Sequence, residues 1–252
     1  MILTIDIGNT SVEFGVFKGD NLIKTWRVST RSITNEEIFN KSLSECVNGL
    51  ETKSFSGAIV SSVVPNLNQF VSQGISRLLN LKAIFVDCNS KTGVGLVCDQ
   101  PETVGADLIC ACAAANFYYG SPALIIDMGT ATKFLITDKN GDFIGASILP
   151  GVKMGITALS AGTAQLPEIT LEAPKSVMGT NTEDCIKSGI VYGTASMIDG
   201  MIDRINKEFG SELPVYATGG LSGCITSYCN HSFVLDKHLV LKGLKVIYDK
   251  NT

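Results

Sequence analysis

A chain of 252 residues, 45% hydrophobic and 17% charged, has ample material for a core and suits one large domain or two of about 100–150 residues. Its formal net charge of −4, from 20 basic and 24 acidic residues, argues against nucleic acid as the main partner, because phosphate backbones require a concentrated basic face. The opening residues lack a basic segment and read as a buried strand, not a secretion signal, and the apolar run Leu108 to Tyr119 is too short to span a bilayer, so the expectation is a cytoplasmic protein without membrane association.

In chain order, Leu3 to Ile7 is a short apolar strand running into Asp6-Ile7-Gly8-Asn9-Thr10. Val12 to Phe17, a turn at Lys18-Gly19-Asp20-Asn21, and Leu22 to Val28 form a predicted hairpin. Thr34 and Glu37 have the spacing of a capping box, ahead of Phe39, Leu43, Val47 and Leu50 at helical intervals. Gly57 to Val64 is β-branched and predicts a strand; Leu67, Phe70, Val71, Leu78 and Leu79 mark a helix; Lys82 to Asp87 is a further short strand. Gly105-Ala106-Asp107 opens a helix.

The second half repeats the first. Leu124 to Asp127 is a strand running into Asp127-Met128-Gly129-Thr130-Ala131-Thr132, followed by Phe134 to Thr137, a turn at Lys139-Asn140-Gly141, and Phe143 to Ile148. Asp184 to Glu208 is helical, Val215 to Thr218 is a strand, Gly219-Gly220 is a turn before a short helix, and the C-terminus is helical. A motif that recurs halfway along the chain indicates duplication. The expected class is α/β, with lobes at 1–117 and 118–252 and a cleft between them.

The eight cysteines are scattered, mostly in apolar runs, and read as free core thiols of a reducing compartment. Cys224, Cys229, His231 and His238 match no common zinc-ligand spacing.

Each Asp-x-Gly turn can serve as a phosphate cradle. Glycine permits the tight turn and close approach, consecutive N–H groups face anionic oxygens, and Asn or Thr adds neutral donors. A strand-end aspartate such as Asp6 can hold Mg²⁺ directly or through water. A single copy would read as an ordinary turn, since these are turn residues. Two copies at matching positions fit phosphoryl transfer, which needs positioning and charge neutralisation. Thr218-Gly219-Gly220 is either a third nucleotide-contacting element or a plain strand–helix turn. Neither a Walker A motif nor a dinucleotide G-x-G-x-x-G fingerprint is present.

The ordered set Asp6-x-Gly8-Asn9-Thr10, Val104-Gly105-Ala106-Asp107, Asp127-x-Gly129-Thr130-Ala131-Thr132, Ile148-x-Pro150-Gly151 and Thr218-Gly219-Gly220 resembles the type III pantothenate kinases. These belong to the acetate and sugar kinase superfamily, which shares a duplicated actin-like (ribonuclease H-like) fold with a nucleotide cleft between its lobes. The resemblance implies ATP-dependent phosphorylation of pantothenate to 4'-phosphopantothenate, the first step of coenzyme A biosynthesis, by a cytoplasmic homodimer. It implies ATP-phosphate contacts from Asp6, Ile7, Gly8, Asn9, Thr10, Ser11, Val12 and Glu13, and an ATP contact from Thr130. It implies a pantothenate pocket at Cys98, Gly105, Ala106, Asp107 and Leu108, with Asp107 as the base, and Thr182 reaching the substrate from a partner subunit. A monovalent cation, K⁺ or NH₄⁺, is implied at Asp127. Read from the residues alone, Asp107 is equally a helix-start carboxylate favoured by the dipole.

The chain departs from the family pattern at four places. Leu108 stands where the family has an arginine that would pair with the pantothenate carboxylate, Cys98 where it has a tyrosine, and Gln100-Pro101 where it has Asn-Pro. Lys133 stands where a second threonine is usual; it either projects into solvent or brings an ammonium to the phosphates or to Asp127, reducing the need for the cation. A kinase of another small hydroxyl compound and a non-catalytic nucleotide-binding regulator are the readings that compete with pantothenate.

Overall fold

Strand β1 (Ile2–Ile7) buries Ile2, Leu3, Ile5 and Ile7 together with Thr4, and a run buried on both faces belongs in the middle of a sheet. It pairs antiparallel with β2 (Ser11–Lys18), which pairs antiparallel with β3 (Asn21–Ser29). The computed structural model describes residues 1–50, 54–161 and 171–252. After helix α1 (Glu36–Val47), strand β4 (Gly57–Ser62) joins the other side of β1 in parallel, with Asp6 opposite Ser61. Helix α2 (Pro65–Leu79) leads to β5 (Ala83–Phe85), parallel to β4, and the sheet order is β3-β2-β1-β4-β5. Helix α3 (Ala106–Tyr118) follows.

The second sheet is built from β6 (Ala123–Met128), β7 (Ala131–Thr137) and β8 (Phe143–Pro150). Helices α4 (Val152–Ala161) and α5 (Thr182–Phe209) precede β9 (Val215–Thr218); α6 (Ser222–Ile225), β10 (Val234–Leu235) and α7 (Leu239–Asn251) complete the chain. Its order is β10-β9-β6-β7-β8, with β9 parallel to both β6 and β10. Read from the other end, β8-β7-β6-β9-β10 matches β3-β2-β1-β4-β5 strand for strand, so the repeated motif is the start of a repeated sheet.

Packing forms two compact units, one of Met1–Ser121, Thr137–Ile144 and His238–Thr252, the other of Pro122–Ile136 and Gly145–Lys237. The last helix therefore does not stay with the residues that precede it. In the first unit α7 lies on α3, a helix apolar all round and rich in Ala and Cys. Gly243 rests directly on the Cys110 carbonyl, where any Cβ would collide. Thr137–Ile144 is held in the same unit by Phe143, whose N–H donates to the Gly95 carbonyl and whose carbonyl accepts from Val97 N–H, both at 2.8 Å.

Helix α1 begins one residue later than its sequence suggested. Asn35, not Thr34, is the N-cap, its Oδ1 accepting from Ile38 N–H at 3.0 Å; the two neighbours are both good caps, and the one three residues before an available amide prevails. Leu50 lies beyond the helix end. Of the cysteines, Cys46, Cys110 and Cys112 are core thiols, but Cys88, Cys185 and Cys224 are exposed. Burial pushes Cys46 up to about 11 and Cys112 to about 12. Among the described residues no helix is long and apolar enough to cross a membrane.

Candidate active site

In the first unit the turn after β1 is braced on three sides. Gly8 N–H donates to the Ser11 carbonyl at 3.0 Å, Thr30 N–H to the Thr10 carbonyl at 3.0 Å, and the Thr30 hydroxyl to the Gly8 carbonyl at 2.6 Å. Asn9 and Thr10 stay exposed at its tip, as a phosphate cradle requires. Ile7 and Val12 are fully buried, so only their backbone can face a ligand. Asp6 is partly buried at the carboxyl edge of the parallel pair β1–β4, and its Oδ1 accepts from the Ser61 hydroxyl at 2.9 Å. One or two carboxylates with several waters suffice for Mg²⁺, and Asp6 at the phosphate turn fits that donor set.

Glu13 lies opposite Asp6 across β1–β2, and its Oε1 is 3.2 Å from His238 Nδ1 just ahead of α7. Arg27, opposite Glu13 on β3, donates from Nε to the Ser11 hydroxyl at 3.0 Å. This brings a permanent positive charge to the phosphate turn. No motif marks Arg27, Thr30 or Ser61; their roles follow only from strand register.

Asp107 is the second residue of α3, whose N-cap is Gly105. The Gly105 carbonyl accepts from both Leu108 N–H (3.0 Å) and Ile109 N–H (3.2 Å), and the Asp107 carboxylate folds back over Gly105. Asp107 and Leu108 are partly buried and Ala106 is buried. The buried Cys110 thiol, one turn further, is held well above the usual thiol range first by burial and then by Asp6, Asp107 and Cys112. Val63 N–H donates to the Ile7 carbonyl at 3.0 Å and the Val63 side chain lies against Gly105, so the phosphate turn and the start of α3 converge on one end of the first unit. Cys98 is partly buried in the segment before the short helical turn Pro101–Thr103.

The second unit repeats the cradle with a shorter turn. Gly129 N–H donates to the Ala131 carbonyl at 3.2 Å, two residues on, where Gly8 reaches three. Gly151 N–H donates to the Thr130 carbonyl at 3.1 Å, and Gly151 sits so close to that carbonyl that a side chain is excluded. Thr130 itself is exposed. Thr218-Gly219-Gly220 is not a distant turn: Thr218 pairs with Asp127, and Gly219 (φ +90°) would place a Cβ 2.6 Å from the Met128 carbonyl and 2.8 Å from Asp127 Oδ1. Only glycine supplies both that conformation and that clearance. Thr182 is the exposed first residue of α5, capped by Asn181, whose Oδ1 accepts from Asp184 N–H at 2.9 Å.

Lys133 does not project into solvent. Its Nζ lies 2.9 Å from Asp127 Oδ2, and both side chains are largely covered. The carboxylate expected to hold K⁺ or NH₄⁺ thus already holds a cation of the chain itself, and its surroundings do not fit a second one. His231 Nε2 is 3.0 Å from Asp203 Oδ1, and Cys229 is packed against the Ile225 and Ala195 carbonyls, burial and Asp199 raising its thiol to about 12.

Comparison with known proteins places these features in context. The family model for type III pantothenate kinase matches residues 2–204. A type III pantothenate kinase from Brevibacillus brevis is 38% identical over 254 residues, covering 100% of this chain and 99% of that protein. One from Acholeplasma laidlawii is 40% identical over 251 residues, covering 100% and 99%. Among solved structures, the activator of the 2-hydroxyisocaproyl-CoA dehydratase from Clostridium difficile with bound ADPNP superposes with a TM-score of 0.57 at 14% identity, covering 99% of this chain and 95% of that one.

Proposed function

The chain belongs to the type III pantothenate kinase family, and from that premise we propose how its own residues divide the work of phosphorylating pantothenate with ATP, a reaction of coenzyme A biosynthesis. Its fold is the α/β actin-like one, each half a mixed five-stranded sheet. The observation that carries the assignment is the meeting of the Asp6 turn and the Asp107 helix start at Val63, whose N–H donates to the Ile7 carbonyl at 3.0 Å and whose side chain lies against Gly105.

Asn9, Thr10 and the backbone from Asp6 to Glu13 hold the ATP phosphates, with Arg27 adding charge through Ser11. Asp6 would hold the magnesium, which would supply neutralisation of phosphate charge when ATP is bound. Thr130, on the turn locked by Gly151 and Gly219, contacts ATP. Gly105, Ala106, Asp107, Leu108 and Cys98 line the acceptor pocket. The acceptor hydroxyl oxygen forms a bond to the γ-phosphorus, the bond from that phosphorus to the β-phosphate oxygen breaks, and ADP leaves with its electron pair. The hydroxyl proton passes to the Asp107 carboxylate, which orients the hydroxyl before transfer.

The test is ADP release by the purified chain with Mg²⁺-ATP, with and without pantothenate, and the product identified by mass. Turnover that depends on pantothenate and yields a product heavier by one phosphoryl group is expected; ADP release indifferent to pantothenate would contradict the assignment. The enzyme acts as a homodimer in the cytoplasm, a compartment that suits eight unpaired thiols. Exposed Val177 and Met178, a few residues ahead of Thr182, support an interface that places Thr182 at the partner's acceptor pocket. Sedimentation equilibrium at assay concentration should return twice the chain mass; a monomer there removes Thr182 from the site.

A further inference from the structure

We propose that Lys133 is a built-in monovalent cation: its ammonium, bound to Asp127, takes the place of K⁺ or NH₄⁺ and makes nucleotide binding and phosphoryl transfer independent of the monovalent salt. The inference rests on the assignment of the Asp127 turn to the nucleotide site.

Three observations support it. Nζ is 2.9 Å from Asp127 Oδ2, and the Lys133 and Asp127 side chains are only 17% and 16% exposed, so this is a covered contact and not one of the solvated pairs that contribute little. The backbone sets its direction. Counting from the closing hydrogen bond of each turn, Glu13 lies two residues past Ser11 and Lys133 two residues past Ala131. Lys133 therefore occupies the place in the second copy from which Glu13 faces Asp6 in the first. Oδ1, the other oxygen of Asp127, lies beside the Gly219 and Gly129 backbones, where an added Cβ would come within 2.8 and 3.4 Å of it, so on that side the carboxylate adjoins bare backbone.

The chemistry matches. A lysine ammonium is a compact unit charge with three donors, close to NH₄⁺ in charge and bonding. Tethered by its own strand, it is present at an effective concentration of millimolar or more whatever the medium contains. A potassium ion on the same carboxylate would lie about 4 Å from Nζ, and repulsion between like charges at that range, with an effective dielectric near 20, disfavours its binding by roughly a thousandfold.

The experiment titrates KCl against tetramethylammonium chloride at constant ionic strength, using the full chain and Lys133→Thr, with Lys133→Gln as a second variant should the first fold poorly. Pantothenate kinase activity of the unaltered chain is expected to change less than twofold between zero and 100 mM K⁺, while the variant loses at least tenfold without K⁺ and recovers with it. A second readout avoids catalysis: Kd for Mg²⁺ with a non-hydrolysable ATP analogue by calorimetry, and binding of Tl⁺, a K⁺ surrogate, by thallium NMR. The unaltered chain should bind the analogue equally with or without K⁺ and show no bound Tl⁺; the variant should gain both responses. Tenfold K⁺ stimulation, or a Tl⁺ site in the unaltered chain, overturns the proposal. Absent turnover in every salt would refute the function reading alone, because the binding arm still decides Lys133.

Discussion

Asp107→Asn is expected to lower kcat for pantothenate phosphorylation by about 10²–10⁴-fold, the usual range for loss of a positioned general base. The substitution keeps size, shape and hydrogen-bonding reach but removes the proton acceptor. It also removes a negative charge from the first turn of α3, where Asp107 follows Gly105 and Ala106. A carboxylate there stabilises a helix by about 0.3–1 kcal/mol. In a chain of this size such a loss moves Tm by no more than about 4 °C. The two roles available to Asp107 therefore separate by magnitude. If it only starts the helix, kcat falls in proportion to a small loss of folded protein, less than tenfold, with the Tm shift as the main effect. If it takes the hydroxyl proton, kcat collapses while Tm and the affinity for an ATP analogue stay near those of the unaltered chain. Asp6 makes the comparison sharper, since the phosphate turn stays intact in the variant, held by Thr30 and the Gly8–Ser11 hydrogen bond.

The part of the fold that was legible in the sequence is the part fixed by local pattern. Leu3–Ile7 and Leu124–Asp127 are short, mostly apolar strands, each running into Asp-x-Gly, and the matched order of the two sheets follows from hairpins and crossovers whose turns are visible as Lys-Gly-Asp-Asn and Lys-Asn-Gly. What was not legible depends on register and on packing between distant segments. Nothing in Leu239–Asn251 says that it returns to α3; that is decided by Gly243, which permits contact with the Cys110 carbonyl. Arg27 reaches Ser11, and Ser61 reaches Asp6, because β3 and β4 align with β2 and β1 at those residues and not one step away. Lys133 reads from the sequence either as a solvated lysine or as a partner of the phosphates or Asp127, and the choice is decided only by the second turn, one residue shorter, which leaves it opposite the carboxylate. Gly219 likewise acquires meaning only once β9 lies beside β6 and brings it against Asp127.

Leu108→Arg should act in the opposite direction, lowering KM for pantothenate by about 10–100-fold. Leu108 is the third residue of α3, adjoining the proposed base, and its N–H is fixed to the Gly105 carbonyl at 3.0 Å, so the backbone of a variant is held in place. The leucine is partly buried and would offer the proposed acceptor pocket only apolar surface. Pantothenate carries a carboxylate, and a charge-assisted hydrogen bond to it contributes about 1.5–3 kcal/mol, equivalent to about 10–100-fold in affinity. The control is pantetheine, which has the same reacting hydroxyl but no carboxylate. Its KM should not improve, and repulsion of the substrate by Asp107 should be relieved only for the acid. A fall in KM confined to pantothenate places the carboxylate at the start of α3, within reach of the new guanidinium. An equal gain for both compounds would trace the effect to packing along the arginine stem, and no gain for either would mean that the acceptor does not extend its carboxylate over Leu108. In that case Cys98, another departure from the family pattern in the proposed pocket, is the place where its binding must be sought.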